Sequence, residues 1–462
     1  MSNLPPHWVA VPLSHLLSSL ESGSRPRGGV RRISDGVPSI GGEHLKYDGT
    51  FDFSSIKYVP SVFAERMTRG HIKKNDILIV KDGATTGKTA FVDRNFPYEN
   101  AVVNEHVFIC RPVDHIEPKF LFRFLMSKEG QDRILENFKG SAQGGVNQSF
   151  AQNTVIPIAP INEQHRVILK LEMILAKIGS CQKRLEKIPA IIKRFRQSIL
   201  SGACSGALTA DWRKENPRPP LLDSARNWTG RGDPPEIPAS WRWVPFGRLT
   251  IAFRSGSTEV PKNEPTEFPI LRSSSVRNGS VDLSDVRYLT KQQSGVVDNY
   301  LRENDLLFTR LSGSLKYVAN CGLVRGLGSR KIQYPDRLFC AKLADPEIAP
   351  YIEACFSSPV LREYISVASK SSAGHQRISM GAVTGQPIPF PPKEEQHEII
   401  RRVVALFSLA GRLEARYSMA KGHVDQLSQP ILSKAFRGEL VPYNPNDGPA
   451  LVILDPIRKT RV

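Results

Sequence analysis

NEQHRVILKLEMILAKIGSCQKRLEKIPAIIKRFRQSIL, residues 162–200, returns in altered form as EEQHEIIRRVVALFSLAGRLEARYSMAKGHVDQLSQPIL, residues 394–432. Glu163-Gln164-His165 matches Glu395-Gln396-His397, and Ile199-Leu200-Ser201 matches Ile431-Leu432-Ser433, both 232 positions on with no gap between. In the first copy, apolar residues fall at Val167, Leu171, Ile174, Ile178, Cys181, Leu185, Ile188, Ile192, Phe195 and Ile199. Their steps alternate between four and three, the spacing of a coiled-coil seam. The second copy keeps that seam at Ile399, Val403, Leu406, Ala410, Leu413, Tyr417, Ala420, Val424, Leu427 and Ile431, although most surface residues differ. A helix packed only on its own domain would show a broader apolar stripe. Two equal seams in one chain pack more simply on each other. Asn162 reads as the N-cap of the first helix, with Glu163 in its first turn and Gly202 and Gly206 at its end. Pro189 predicts a kink, and its counterpart is Lys421.

The repeat continues upstream less regularly. The Trp8 region, Pro5-Pro-His-Trp8, resembles Pro238-Ala-Ser-Trp241, Ser22-Gly-Ser24 matches Ser255-Gly-Ser257, and Asn75-Asp-Ile-Leu78 matches Asn304-Asp-Leu-Leu307. Each half therefore holds a variable globular domain followed by a better-kept helix. The spacing predicts domains at 1–160 and 237–392, helices at 161–204 and 393–437, a proline-rich linker at 205–236 and a tail at 438–462. Short apolar runs at 76–80, 90–93 and 106–110 alternate with turn clusters, and amphipathic helices are expected at 118–127 and 350–356. The domains read as mixed α/β (α+β) in tandem.

Among 462 residues, 63 Lys and Arg stand against 45 Asp and Glu, a net charge of +18. That excess points to a polyanionic partner, of which nucleic acid is the commonest. The six cysteines are scattered, without a CxxC pair or a metal-ligating Cys/His cluster, which fits a reducing cytosol. The opening residues lack a secretory signal, and no apolar run approaches the ~20 residues that span a bilayer. A cytoplasmic protein is expected.

GATTGKT at 83–89 invites a nucleotide-binding reading. A phosphate-cradling loop needs four residues between its first Gly and Gly-Lys, whereas only Ala84, Thr85 and Thr86 intervene between Gly83 and Gly87. The residues that follow read as a strand, so the helix N-terminus that would hold phosphate is missing too. A methyltransferase reading fares no better. Asp233-Pro-Pro-Glu236 has Glu where such enzymes resemble one another in an aromatic, and Tyr334-Pro-Asp336 is followed by Cys340-Ala-Lys342, which lacks a nuclease's second carboxylate. Both catalytic classes are therefore disfavoured, as is a purely structural coiled-coil adaptor, given the charge and two unlike domains. The chain reads as non-catalytic.

Pro157-Ile-Ala-Pro-Ile-Asn-Glu-Gln164 and Pro389-Phe-Pro-Pro-Lys-Glu-Glu-Gln396 each end a domain and open a helix. Ile199-Leu-Ser-Gly-Ala203 and Ile431-Leu-Ser-Lys-Ala435 close those helices. With the paired Asn-Asp strand motifs, the chain resembles, over essentially its whole length, the DNA-specificity subunits of Type I restriction–modification enzymes. The resemblance implies two target-recognition domains, each reading one half of a split asymmetric site, separated by two antiparallel helices. It implies docking of two adenine-N6 methyltransferase subunits, joined by restriction subunits that use ATP to translocate DNA. S-adenosylmethionine, ATP and Mg then belong to those partners, and this chain binds no cofactor.

A helix from Val167 to Ile199 would span about 50 Å, enough to hold two domains over grooves one duplex turn (~34 Å) apart. Lys and Arg would position each domain on phosphates while polar side chains read base edges. In the first domain the candidates are Lys81, Thr85, Thr86, Lys88, Gln143, Asn147 and Gln148. In the second they are Arg272, Ser274, Arg310, Ser312, Lys316, His375, Gln376 and Arg377. GATTGKT on this reading is a DNA-facing hairpin whose counterpart is Arg310-Leu-Ser-Gly-Ser-Leu-Lys316.

Overall fold

The structure, a computed structural model, describes residues 4–30, 33–139, 144–221, 228, 233–277, 279–290, 299–372 and 375–453. It divides into two compact units, residues 1–186 with 419–462, and residues 187–418.

The first unit is built on a four-stranded antiparallel sheet in the order Leu17–Ser22, Val107–Pro112, Ile77–Val80, Thr89–Phe91. All four residues of Ile77–Val80 are buried, which explains why this strand is an unbroken apolar run. Its side chains alternate between two cores. Ile77 and Ile79 join the helix Pro118–Met126, while Leu78 and Val80 join Ile40, Val103 and Ile109 on the other face. The second unit has a sheet of the same order, Thr250–Ser255, Leu338–Leu343, Leu306–Thr309, Cys321–Leu323. Its central strand alternates likewise, Leu306 and Phe308 to one core and Leu307 to the other.

The Asn-Asp motif is a turn device. Asn75 and Asn304 have φ of 71° and 67°, a left-handed conformation that Asn tolerates better than most residues. Asp76 accepts the Lys73 N–H at 2.7 Å and Asp305 the Arg302 N–H at 2.8 Å, closing the turn into each central strand. Burial pushes both carboxyls above the usual range. Arg111 opposes this at Asp76 with two 2.8 Å hydrogen bonds.

The Glu-Gln motif is a clasp. Glu163, almost wholly buried, accepts the Trp8 indole N–H at 3.1 Å and lies 2.9 Å from His7 Nε2. Glu395 accepts the Trp241 indole N–H and the Thr209 hydroxyl, both at 2.7 Å, and pairs with Arg213. Gln164 donates to the Ala159 carbonyl and Gln396 to that of Pro391. In each unit, therefore, the start of a long helix is fastened beside a separate two-stranded antiparallel sheet, Val9–Pro12 with Val155–Ile158 or Arg242–Pro245 with Pro387–Phe390.

The helices depart from expectation in detail. The first is two, Ile161–Leu185 and Ile188–Ser205, interrupted just before Pro189. The second also breaks, into Lys393–Gln426 and Ser428–Phe436, ahead of Pro430, whose ring lacks an N–H and clashes with the carbonyl four residues back. Asn162 is not the N-cap: Pro160 occupies that position and Asn162 lies in the first turn. Gly202 lies inside a helix, and Gly206, with φ of 76°, is the C-cap.

The stretch expected as a linker is folded where it begins, with a helix at Ala210–Glu215. The tail is folded too: Arg166 pairs with Asp447 at 2.6 and 3.0 Å, and Ala450 N–H donates to the His7 carbonyl. Gly438, at φ of 74°, turns the chain against Pro5 as Gly206 turns it against Pro238.

Within each unit, helical segments from the two halves run in opposite directions. In the first, contacts pass from Arg166–Asp447 to Gln182–Asp425 (3.1 Å). In the second they pass from Arg196–Glu414 (3.0 Å) to Arg213–Glu395. Of the seam residues, Val167, Leu171, Ile178, Ile192, Ile199, Ile399, Val403 and Ala410 are buried. Ile174, Leu185, Ile188, Phe195, Leu406, Tyr417, Ala420, Val424 and Ile431 are half-buried, whereas Cys181, Leu413 and Leu427 are exposed. Burial is thus most complete where a domain adds a further layer to the helices.

Candidate nucleic-acid interface

In the first unit, the loop after Ile77–Val80, the turn before Val107–Pro112 and the segment 144–148 meet at one end of the sheet. Lys81 N–H donates to the His106 carbonyl at 2.9 Å, and Val146 N–H donates to the Lys81 carbonyl at 2.7 Å. Gly145 is required there, because a Cβ would lie 2.5 Å from the Lys81 carbonyl oxygen. The Lys81 ammonium stands 5.8 Å from the Phe108 ring centroid, within cation–π range.

The second unit repeats this geometry with different side chains. Arg310 N–H donates to the Arg337 carbonyl at 2.9 Å, and Ile378 N–H donates to the Arg310 carbonyl at 3.0 Å. The Arg310 guanidinium lies 5.8 Å from the Phe339 ring centroid. A cation at the end of the central strand, seated over a phenylalanine of the neighbouring strand, is thus common to both.

The remaining candidates fall around these platforms. The GATTGKT segment is a hairpin loop whose Gly83, Thr86, Gly87 and Lys88 N–H groups are all bonded to carbonyls within the chain. Those amides are engaged, and the strand Thr89–Phe91 follows instead of a helix. Thr85 and Thr86 are half-buried, with the Thr86 hydroxyl donating to the Gly83 carbonyl at 2.7 Å. Lys88 lies 4.7 Å from the ring of Tyr47, which is itself exposed. Asn147 accepts the Ser149 N–H at 3.0 Å, and Gln148 donates to the Leu20 carbonyl at 3.4 Å. Gln143 lies outside the described residues.

In the second unit, Ser312 pairs with Gln376 and Leu311 with Arg377 in a small sheet that also carries His375. Lys316 is exposed beside Tyr317. Arg272 and Ser274 are drawn to one carboxylate, Asp285, at 3.5 and 2.6 Å. Ser274, Arg277, Ser312 and Arg337 share a surface depression at the sheet end.

A family model for the Type I restriction modification DNA specificity domain matches residues 31–190. The chain is 31% identical over 454 residues to the Type I restriction enzyme EcoKI specificity subunit of Escherichia coli (strain K12), covering 97% of this chain and 92% of that protein. The chain belongs to the family of Type I restriction enzyme specificity subunits. The corresponding StySPI specificity subunit of Salmonella potsdam is 26% identical, again over 97% of this chain and 92% of that protein. The fold is that of the HsdS subunit from Thermoanaerobacter tengcongensis, with a TM-score of 0.59 at 16% identity over 94% of this chain and 98% of that one.

Relative to this specificity-subunit fold, sequence reasoning missed two residues at the sheet ends, His106 and Arg337. Their signal was the spacing to Phe108 and Phe339, since each stands two residues before the phenylalanine beneath the shared cation. It also missed Arg25, which donates to His106 Nε2 at 2.8 Å while His106 Nδ1 donates to Asp82 at 2.5 Å. Among the described residues no helix is long and apolar enough to cross a membrane.

Proposed function

We propose that the two domains of this specificity subunit each read one half of a split, asymmetric DNA site. The recurrence of one platform with different side chains carries this reading. A basic residue held by the same backbone bonds suits a phosphate, which is alike at every base, while variable neighbours suit base edges, which are not. The net charge of +18 supports a nucleic-acid partner. The paired sequence copies support an internal two-fold repeat, and their seams support an antiparallel coiled coil that acts as a spacer.

Two methyltransferase subunits dock on the helices in this account. Leu169 and Met173, 73% and 47% exposed on the helix Ile161–Leu185 away from its seam, offer them apolar surface. Restriction subunits join that assembly in the cytoplasm. This chain contributes recognition only, and S-adenosylmethionine, ATP and Mg are bound by its partners.

Exchanging residues 237–392 for the equivalent domain of a related subunit should change one half of the methylated site and leave the other intact. Sequencing of methylated DNA from cells carrying the exchanged chain and its methyltransferase reads this out. Both halves changing together would contradict separate readers.

A further inference from the structure

Resting on that DNA-reading assignment, the geometry points to position 337 as a specificity-determining position, with Arg337 reading a guanine edge. The backbone there is fixed identically in the two domains, since the carbonyls of His106 and Arg337 each accept a 2.9 Å bond from the cationic residue ending the central strand. The side chains it presents are unlike, an imidazole in one and a guanidinium in the other. A rigid main chain carrying a different donor set in each domain is what base discrimination requires.

The surroundings of Arg337 separate it from Arg272 and Arg310. Arg272 is matched to Asp285, and Arg310 donates to the Asp336 carbonyl at 3.3 Å and lies against Phe339. Arg337 is exposed, and among the described residues its guanidinium makes no hydrogen bond or ion pair. It faces the depression shared with Ser274 and Ser312. A planar fork of unengaged N–H donors fits the O6 and N7 acceptors that guanine shows in the major groove. His106 cannot do the same, because its nitrogens are engaged by Asp82 and Arg25. The two domains therefore place different chemistry at the same point of the platform.

The test uses the complete methyltransferase complex carrying Arg337→Ala, Arg337→Gln or Arg337→Lys, with methylated sites mapped by sequencing and affinity measured on duplexes varied one base at a time. Arg337→Ala should lower discrimination for guanine at one position of the second half-site by about tenfold to a hundredfold, leaving the first half-site unchanged. Arg337→Gln should move the preference at that position towards adenine. Arg337→Lys keeps the charge but loses the fork, so it should relax the same position without altering the salt dependence. Uniform weakening on every sequence, with a shallower salt dependence in Arg337→Ala, would make Arg337 a phosphate contact and overturn the assignment. So would an unchanged second half-site in an active Arg337→Ala complex, provided exchange of residues 237–392 still alters that half. If the exchange alters neither half, the domain reading itself has failed.

Discussion

Raising the salt concentration from about 50 to about 200 mM should weaken DNA binding by this chain roughly five-hundredfold. The magnitude follows from counterion release, in which each phosphate neutralised contributes about −0.9 to the slope of log K against log salt. Lys81, Lys88, Arg310, Lys316 and Arg377 are five of the cations grouped with the two platforms. If each meets one phosphate, the slope is about −4.5. Lys81→Ala and Arg310→Ala should each make it shallower by about 0.9 while leaving sequence preference intact. Fluorescence anisotropy on a labelled duplex across a salt series measures both effects. A slope near zero would remove DNA as the partner that the +18 charge implies.

The second large effect concerns the helices as a ruler. Deleting residues 178–184 together with residues 410–416 removes one heptad from each helix and keeps both seams in phase. The deletions fall inside Ile161–Leu185 and Lys393–Gln426, so both proline breaks remain. They take away the Gln182–Asp425 hydrogen bond and the Arg196–Glu414 ion pair, both exposed and worth little. The spacer shortens by about 10 Å at 1.5 Å per residue, or roughly three base pairs at 3.4 Å each. The methylated site should keep both halves with a gap about three base pairs smaller. Either deletion alone mismatches the seams by a heptad and should destabilise the protein, seen as a lower midpoint in chemical denaturation. An unchanged gap in a folded, active double deletion would mean that the helices do not set the distance.

Much of the fold could be read from residues because it depends on local patterns. Ile77–Val80 is apolar at every position since both sheet faces are covered, and the alternating steps of four and three mark the helices. Other features depend on partners far apart in the chain. Trp8 and Trp241 match as repeats, yet their hydrogen bonds reach Glu163 and Glu395, 155 and 154 residues away, and leave no periodic trace. The break before Pro430 has the same signal as that before Pro189, a proline inside a helical pattern, and the seam runs on through both. Arg337 escapes a sequence reading for a different reason. The two halves drift in register, with Asn75 and Asn304 229 apart and Glu163 and Glu395 232 apart, so equivalent loop positions cannot be aligned by a fixed offset. The bond from Arg310 to the Arg337 carbonyl restores the correspondence.

The central claim is that one chain joins two different readers. Its most direct test is a genome-wide map of methylated adenines in cells expressing this chain with its methyltransferase partner, against cells lacking the chain. The account predicts one bipartite motif, with two unlike specified blocks separated by a fixed run of unspecified bases. A single continuous motif, or a symmetric one with identical halves, would contradict it.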